Sequence, residues 1–157
     1  MASGFYNAAL VDIGKAVIDL DTDTLKLGLT GTATTYTYNP DDVFLDAGGA
    51  NDVTDAELTG VSGYTRGFGG AGRKTVTITG QANNTNNRAD FAIADLTWTA
   101  LGTGDTIDTA FLCKEITNDA GSKLIASFDL TNTPTNGGDI TLDFLALGSG
   151  GNLRFAA

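Results

Sequence analysis

The residues 67–72, Gly67-Phe68-Gly69-Gly70-Ala71-Gly72, carry the spacing of a dinucleotide-binding loop, G-x-G-x-x-G. Such a loop works when a strand precedes it and a helix follows, so that a pyrophosphate meets the helix N-terminus. Here the residues that follow, Arg73 to Gly80, alternate like a strand, and 21 glycines in the chain make the match cheap. A phosphate loop of the Walker type fails as well: Arg73 separates the last glycine from Lys74, and no helix follows. A flexible or tight loop is the better reading. Asp19, Asp21 and Asp23 begin like a calcium-binding EF-hand loop, but its sixth and twelfth positions are Thr24 and Thr30, not Gly and Glu. A hairpin turn fits those aspartates better, and a looser calcium site stays open. Asp41, Asp42, Asp52 and Asp55 read as residues at helix starts.

Histidine is absent, which removes the commonest general base and metal ligand. Ser122 beside Lys123 sits in a turn without a group to orient it. Nothing selects one catalytic pair among 19 acids. The single cysteine, Cys113, lies in the apolar run Ala110-Phe111-Leu112 and reads as a small buried hydrophobe. Asn83-Asn84-Thr85 is a glycosylation sequon by letter only. The expectation is a protein without catalytic residues, cofactor or metal, and not an enzyme.

The chain carries a net charge of −10 from 19 acids and only nine scattered Lys and Arg. A nucleic-acid surface needs clustered cations, so direct nucleic-acid binding is not expected, nor is an anionic membrane. Acidity keeps a chain soluble and favours partners with positive patches. No apolar run approaches the ~18–20 residues of a membrane span. Met1 to Tyr6 has neither a basic nor an apolar signal region. The densest basic spot is Arg66, Arg73 and Lys74. It reads either as edge-strand charge that blocks aggregation or as a pairing site for acids on a neighbouring subunit.

The elements that would carry these residues are mainly strands. Residues 3–14 predict a short helix, capped by Ser3, with Phe5, Ala9 and Ile13 on one face and Gly14 as its stop. Ala16 to Leu20, a turn at Asp21 to Asp23, and Leu25, Leu27 and Leu29 predict a hairpin. Thr34 to Tyr38 has strong strand propensity, broken by Asn39-Pro40-Asp41. Residues 40–72 are the least regular, with helical turns at 41–45 and 52–58 and many glycines. A long loop or arm is expected there, and such loops often carry function. Val76 and Ile78 alternate with threonines, 81–87 reads as a polar turn, and Ala89, Phe91 and Ile93 share a face. Leu96 and Trp98 continue after a bend. Residues 106–116 predict a buried strand. Asn118 to Gly121 is a hairpin turn to Leu124, Ala126, Phe128 and Leu130. Further expected turns at 134–138 and 148–151 precede Ile140 to Phe144 and Leu153 to Phe155.

This pattern indicates one domain over 1–157. It is all-β, an antiparallel sandwich or barrel of jelly-roll type, with an N-terminal helical segment at 1–15 and a loop excursion at 40–72. Trp98 reads as a core anchor. In a carbohydrate-binding sandwich it would instead form a stacking face with Tyr36, Tyr38 and Tyr64.

Several stretches taken in order carry a resemblance: residues 5–10, Phe5-Tyr6-Asn7-Ala8-Ala9-Leu10; 18–20 with 25–27; 58–60 with 63–67, Gly63-Tyr64-Thr65-Arg66-Gly67; 88–91 leading to 95–100; and 111–129 around the Asn118 to Gly121 turn. This order resembles small structural proteins of tailed bacteriophages, some of them capsid decoration, or cement, proteins. The resemblance implies a virion protein on the outer capsid surface, made in the host bacterial cytoplasm. Its partners would be the major capsid protein and copies of itself; a trimer would suit local three-fold positions. A tail, fibre or baseplate component is the alternative. The contact residues expected on this reading are Phe5, Tyr6, Tyr64, Arg66, Phe68, Arg73 and Lys74, within the N-terminal segment, the 40–72 loop and the residues that directly follow it.

Overall fold

A computed structural model describes residues 4–49, 51–144 and the backbone of 153–156. The all-β antiparallel class expected from the periodicity is the one observed, with three antiparallel sheets.

The largest sheet has five strands: β1 (Gly4–Phe5), β2 (Leu25–Gly31), β3 (Lys74–Thr75), β7 (Thr106–Lys114) and β8 (Lys123–Pro134), in the order β1-β8-β7-β2-β3. A three-stranded sheet joins β4 (Ile78–Asn83), β5 (Arg88–Ile93) and β10 (Leu153–Ala156), with β5 in the middle. A two-stranded ribbon pairs β6 (Leu96–Trp98) with β9 (Ile140–Leu142). Two short helices, α1 (Asn7–Gly14) and α2 (Val53–Ala56), complete the order. Among the described residues no helix is long and apolar enough to cross a membrane.

Strand β7 is the spine. Residues 107–113 are all buried, so both of its faces are covered, which is why Ala110 to Cys113 is apolar without alternation. Lys114 and Lys123 stand opposite each other in the β7–β8 register and share one face. On that face the Lys114 ammonium reaches the Val17 carbonyl at 2.8 Å and Asp23 at 2.6 Å, while Lys123 pairs with Asp12 of α1. Helix α1 and the turn after it therefore cover this face. Phe111 and Cys113 point to the other face, which the segment 57–73 covers.

Pieces of the same chain line both edges of the large sheet for part of their length. Along β8 lie β1 and then residues 43–45, with Leu124 N–H donating to Val43 and Leu45 N–H to Ser122. Along β2 lie β3, residues 57–58 and the Tyr64 hydroxyl, which accepts from Leu29 N–H at 3.0 Å. Unpaired edges invite aggregation, and short irregular segments are one way to close them.

Several expected elements differ. Ala16 to Leu20 is no strand. Asp19 Oδ1 accepts from the N–H groups of Asp21 and Thr22, and Asp23 accepts from Asp19 N–H, so side chains bend the backbone into turns. Ile18 and Leu20 are buried all the same. Thr34 to Tyr38 is irregular because its tyrosines are spent as anchors. The Tyr36 hydroxyl meets that of Tyr6 at 2.8 Å and donates to Asp42, and Tyr38 donates to the Phe5 carbonyl at 2.7 Å. The turn expected at 81–87 is shorter, since residues 81–83 extend β4. The helix runs from Asn7 with Tyr6 at its cap position; Ser3 and the turn at 148–151 lie outside the described residues. Asp41 to Leu45 forms no helix and instead meets β8 at Phe44.

The 40–72 segment is less an excursion than a wrap. Leu45, Val53, Ala56, Leu58, Val61 and Tyr64 are all in the core. Within the sheet beneath, a Cβ on Gly28 would lie inside the van der Waals envelope of the Phe111 ring. Gly28→Ala is expected to lower stability by about 1–3 kcal/mol through overpacking, read as a drop in the urea midpoint with an unchanged slope.

Candidate interaction site

Arg73 follows the glycine-rich loop and precedes β3, so its side chain turns inward over Phe111, with the guanidinium carbon 5.5 Å from the ring centroid. It is fully buried. Glu57 takes it with two bonds, Nε to Oε1 at 2.9 Å and Nη2 to Oε2 at 2.7 Å. Nη1 donates to Asp119 Oδ1 at 2.5 Å and to Glu115 Oε1 at 3.1 Å. The forked pairing is what a guanidinium offers and an ammonium does not.

The same carboxylates hold the loop. Glu57 Oε2 accepts from Gly67 N–H at 3.0 Å, and Asp119 Oδ2 from Phe68 N–H at 3.2 Å. Glu57 Oε1 accepts from the Tyr64 hydroxyl at 3.1 Å. Gly72 N–H returns to the Thr65 carbonyl at 2.9 Å, and Trp98 Nε1 donates to the Gly72 carbonyl at 2.6 Å. The loop is thus tied at its neck and at two points along its tip. Its glycines have steric reasons. Gly67 has φ of +87°, and a Cβ on Gly70 would strike the Thr65 carbonyl. Of the loop's N–H groups, those of Gly67 and Phe68 are taken by Glu57 and Asp119, and those of Gly70 and Gly72 by the Gly67 and Thr65 carbonyls.

Burial opposes the charge on Arg73, but the hydrogen bonds from Glu57 and Asp119 outweigh it, so the guanidinium is held protonated more firmly than a free one. Burial pushes the Tyr64 hydroxyl well up, and the nearby Glu57 adds to this. Burial likewise pushes the Cys113 thiol up, against the pull of Arg73. A thiol held protonated in the core is inert, as its apolar run suggested.

Of the seven contact residues expected from the sequence, Arg66 and Phe68 are exposed, Phe68 by 45%. Among the described residues Arg66 has no ion-pair partner. Phe5 and Lys74 are half-buried. Tyr6, Tyr64 and Arg73 are buried, and this corrects their expected role. Arg73 pairs with acids of its own chain, not of a neighbour, because segment 57–73 folds back over β7. Trp98, Tyr36 and Tyr64 are buried too, which takes them out of reach of a stacking sugar.

The sequence reading passed over Glu57, Glu115 and Asp119, since acids outside any motif give no signal. It also passed over a grouping of apolar side chains. The exposed large hydrophobics among the described residues are Leu10, Val11, Val17, Phe44, Phe68 and Ile116. Each is tied to the end of the sheet where β7 finishes and β8 begins. Leu10 and Val11 directly precede Asp12, which pairs with Lys123; the Val17 carbonyl takes Lys114; Phe44 bridges to Lys123. Phe68 is held by Asp119, and Ile116 lies in the β7–β8 connection itself. They fall on both faces of that sheet: Leu10, Val11 and Val17 belong to the segment over the Lys114 and Lys123 face, and Phe68 to the segment over the Phe111 face.

Removing Arg73 leaves Glu57 buried without its counter-charge. Arg73→Met is expected to cost about 3–5 kcal/mol in urea unfolding. Arg73→Met with Glu57→Gln should cost less than the two single changes summed, the mark of a direct coupling. Alkali provides a second check. With Tyr64 and Cys113 raised above their ordinary values of 10.0 and 9.0, both states hold these protons at lower pH and the stabilisation is complete. Above that range the unfolded chain releases protons that the folded chain keeps, so stability falls as pH rises. The urea midpoint is expected to stay level up to about pH 9 and to decline beyond it, and Cys113→Ala should shift the onset upward.

No protein-family model, no curated protein and no solved structure matches this chain.

Proposed function

We propose that this chain is a structural protein of a tailed-bacteriophage virion, a decoration protein that binds the outer face of the head and bridges capsomers. Its partners on this reading are the major capsid protein and further copies of itself. The ordered stretches from Phe5 to Asp129 support the phage class. The observation that carries a contact role is the locked loop of residues 65–72, which presents Phe68 and Arg66 outward from a base fastened to Arg73, Glu57 and Asp119.

The physical reasoning is preorganisation. A loop ordered before binding loses little conformational entropy when it docks, so its contacts count more fully toward affinity. An aromatic ring and an arginine are the side chains that most often dominate interfaces. Phe68 is an exposed aromatic ring, and Arg66 adds a cation to a chain of net charge −10, suited to an acidic spot on the shell. Many copies on one shell multiply a modest single contact.

The test uses purified protein and heads that lack it. Saturation at a stoichiometry matching the shell's symmetry is expected, and absence of binding to heads rejects the proposal. Phe68→Ala should weaken binding at least about tenfold, roughly 1.4 kcal/mol, while leaving the melting temperature nearly unchanged. Arg66→Ala should weaken it less and reduce its salt dependence.

A further inference from the structure

The large sheet is lined by the chain's own segments along part of β2 and along residues 122–127 at the start of β8. Strand β4, six residues at the edge of the three-stranded sheet, has no strand on its outer side among the described residues. It has none of the usual protections: Ile78-Thr79-Gly80-Gln81-Ala82-Asn83 contains no charge and no proline, and its register with β5 runs without a bulge.

The phase of the ladder shows which groups are unpaired. Ala94 N–H donates to the Thr77 carbonyl at 3.2 Å, so Thr77 and Ala94 form a hydrogen-bonded pair in the register of β4 and β5. Such pairs alternate along an antiparallel ladder. Thr79, Gln81 and Asn83 therefore turn their N–H and C=O groups to β5. Ile78, Gly80 and Ala82 turn theirs away, and among the described residues these find no partner.

We infer that β4 is a self-pairing edge, which joins the β4 of a second copy in antiparallel fashion about a two-fold axis at Gly80. In that register Ile78 pairs with Ala82 of the second copy, Gly80 with Gly80, and Ala82 with Ile78, so every outward backbone group is satisfied. The two three-stranded sheets become one. A second copy is the occupant because the strand has no charge with which to recruit a foreign segment. In a chain of net charge −10, an uncharged strand is also where two copies meet with least repulsion. Gly80 at the axis carries no side chain between the two inner faces. Beside it lies an open groove of about 280 Å³ lined by Leu20, Asp21, Ile78, Gly80 and Phe91, which a two-fold partner would extend and cover. Pairing of this kind closes on itself and gives a dimer rather than a fibre.

The inference deepens the assembly reading above by naming how copies join, and its test does not use heads. Sedimentation of the wild-type chain over a range of concentrations should show a monomer–dimer equilibrium. Ala82→Pro deletes an outward N–H and none of the β4–β5 bonds, so the chain should fold with an unchanged circular dichroism spectrum. Its dimer dissociation constant should rise at least about tenfold. Thr79→Lys, on the exposed face, should weaken the dimer likewise by placing a charge near its counterpart, and it serves if the proline variant does not fold. Thr79→Cys with Gln81→Cys should give a covalent dimer on oxidation, since these positions face each other across the axis while Cys113 is buried. A wild-type chain that stays monomeric, a folded Ala82→Pro or Thr79→Lys variant that dimerises as well as wild type, or no covalent dimer would overturn the inference. A monomer that still binds heads would leave the virion reading standing; a dimer that binds no heads would leave only the pairing.

Discussion

One buried ion pair holds this structure in its present form. Arg73 has no water around it, and a lone guanidinium there would cost several kcal/mol. Glu57 offsets that cost with two bonds, and Glu115 and Asp119 take the remaining donor positions. The geometry then propagates. Glu57 also bridges Thr30 in β2 and accepts from Tyr64, which in turn caps the Leu29 N–H on the sheet edge. Asp119 lies in the β7–β8 connection, so the same cation ties the two central strands to the segment that covers them. A charge in a core is weak evidence for stability in itself. The observed placement of 57–73 brings Arg73 partners from Glu57, Glu115 and Asp119 at once.

That constraint explains how an irregular stretch of chain can be stiff. Between α2 and β3 there is almost no regular structure, yet Leu58, Val61 and Tyr64 are core residues and the loop tip is hydrogen-bonded to carboxylates at two points. The loop tip is held where the Gly67 and Phe68 amides bond to Glu57 and Asp119. Backbone conformation at the glycines follows from this and does not cause it.

Edges organise the rest of the molecule. The large sheet uses short segments from the first half of the chain to line its edges: β1 and 43–45 on one side, 57–58 and β3 on the other. Among the described residues the three-stranded sheet has no such covering on the outer side of β4.

Much of the fold was legible in the sequence. The alternation in Leu25 to Leu29, the dense run 106–116 and the Asn118 to Gly121 turn each mark their element, because side-chain periodicity and turn chemistry are local. Arg66 and Phe68 were legible as exposed residues for the same reason: glycines around them argue for a surface loop. What the sequence by itself could not determine was the fate of groups whose partners are remote. Thr34 to Tyr38 has the composition of a strand, yet Tyr36 and Tyr38 are drawn to Tyr6, Asp42 and Phe5, and the ladder is lost. Arg73 looks like a surface cation until Glu57, 16 residues earlier, and Asp119, 46 residues later, are brought to it. Composition and spacing thus established an acidic, histidine-free, antiparallel β chain. Only the tertiary structure decided which of its charges would be interior, since burial is a property of what the rest of the chain places overhead.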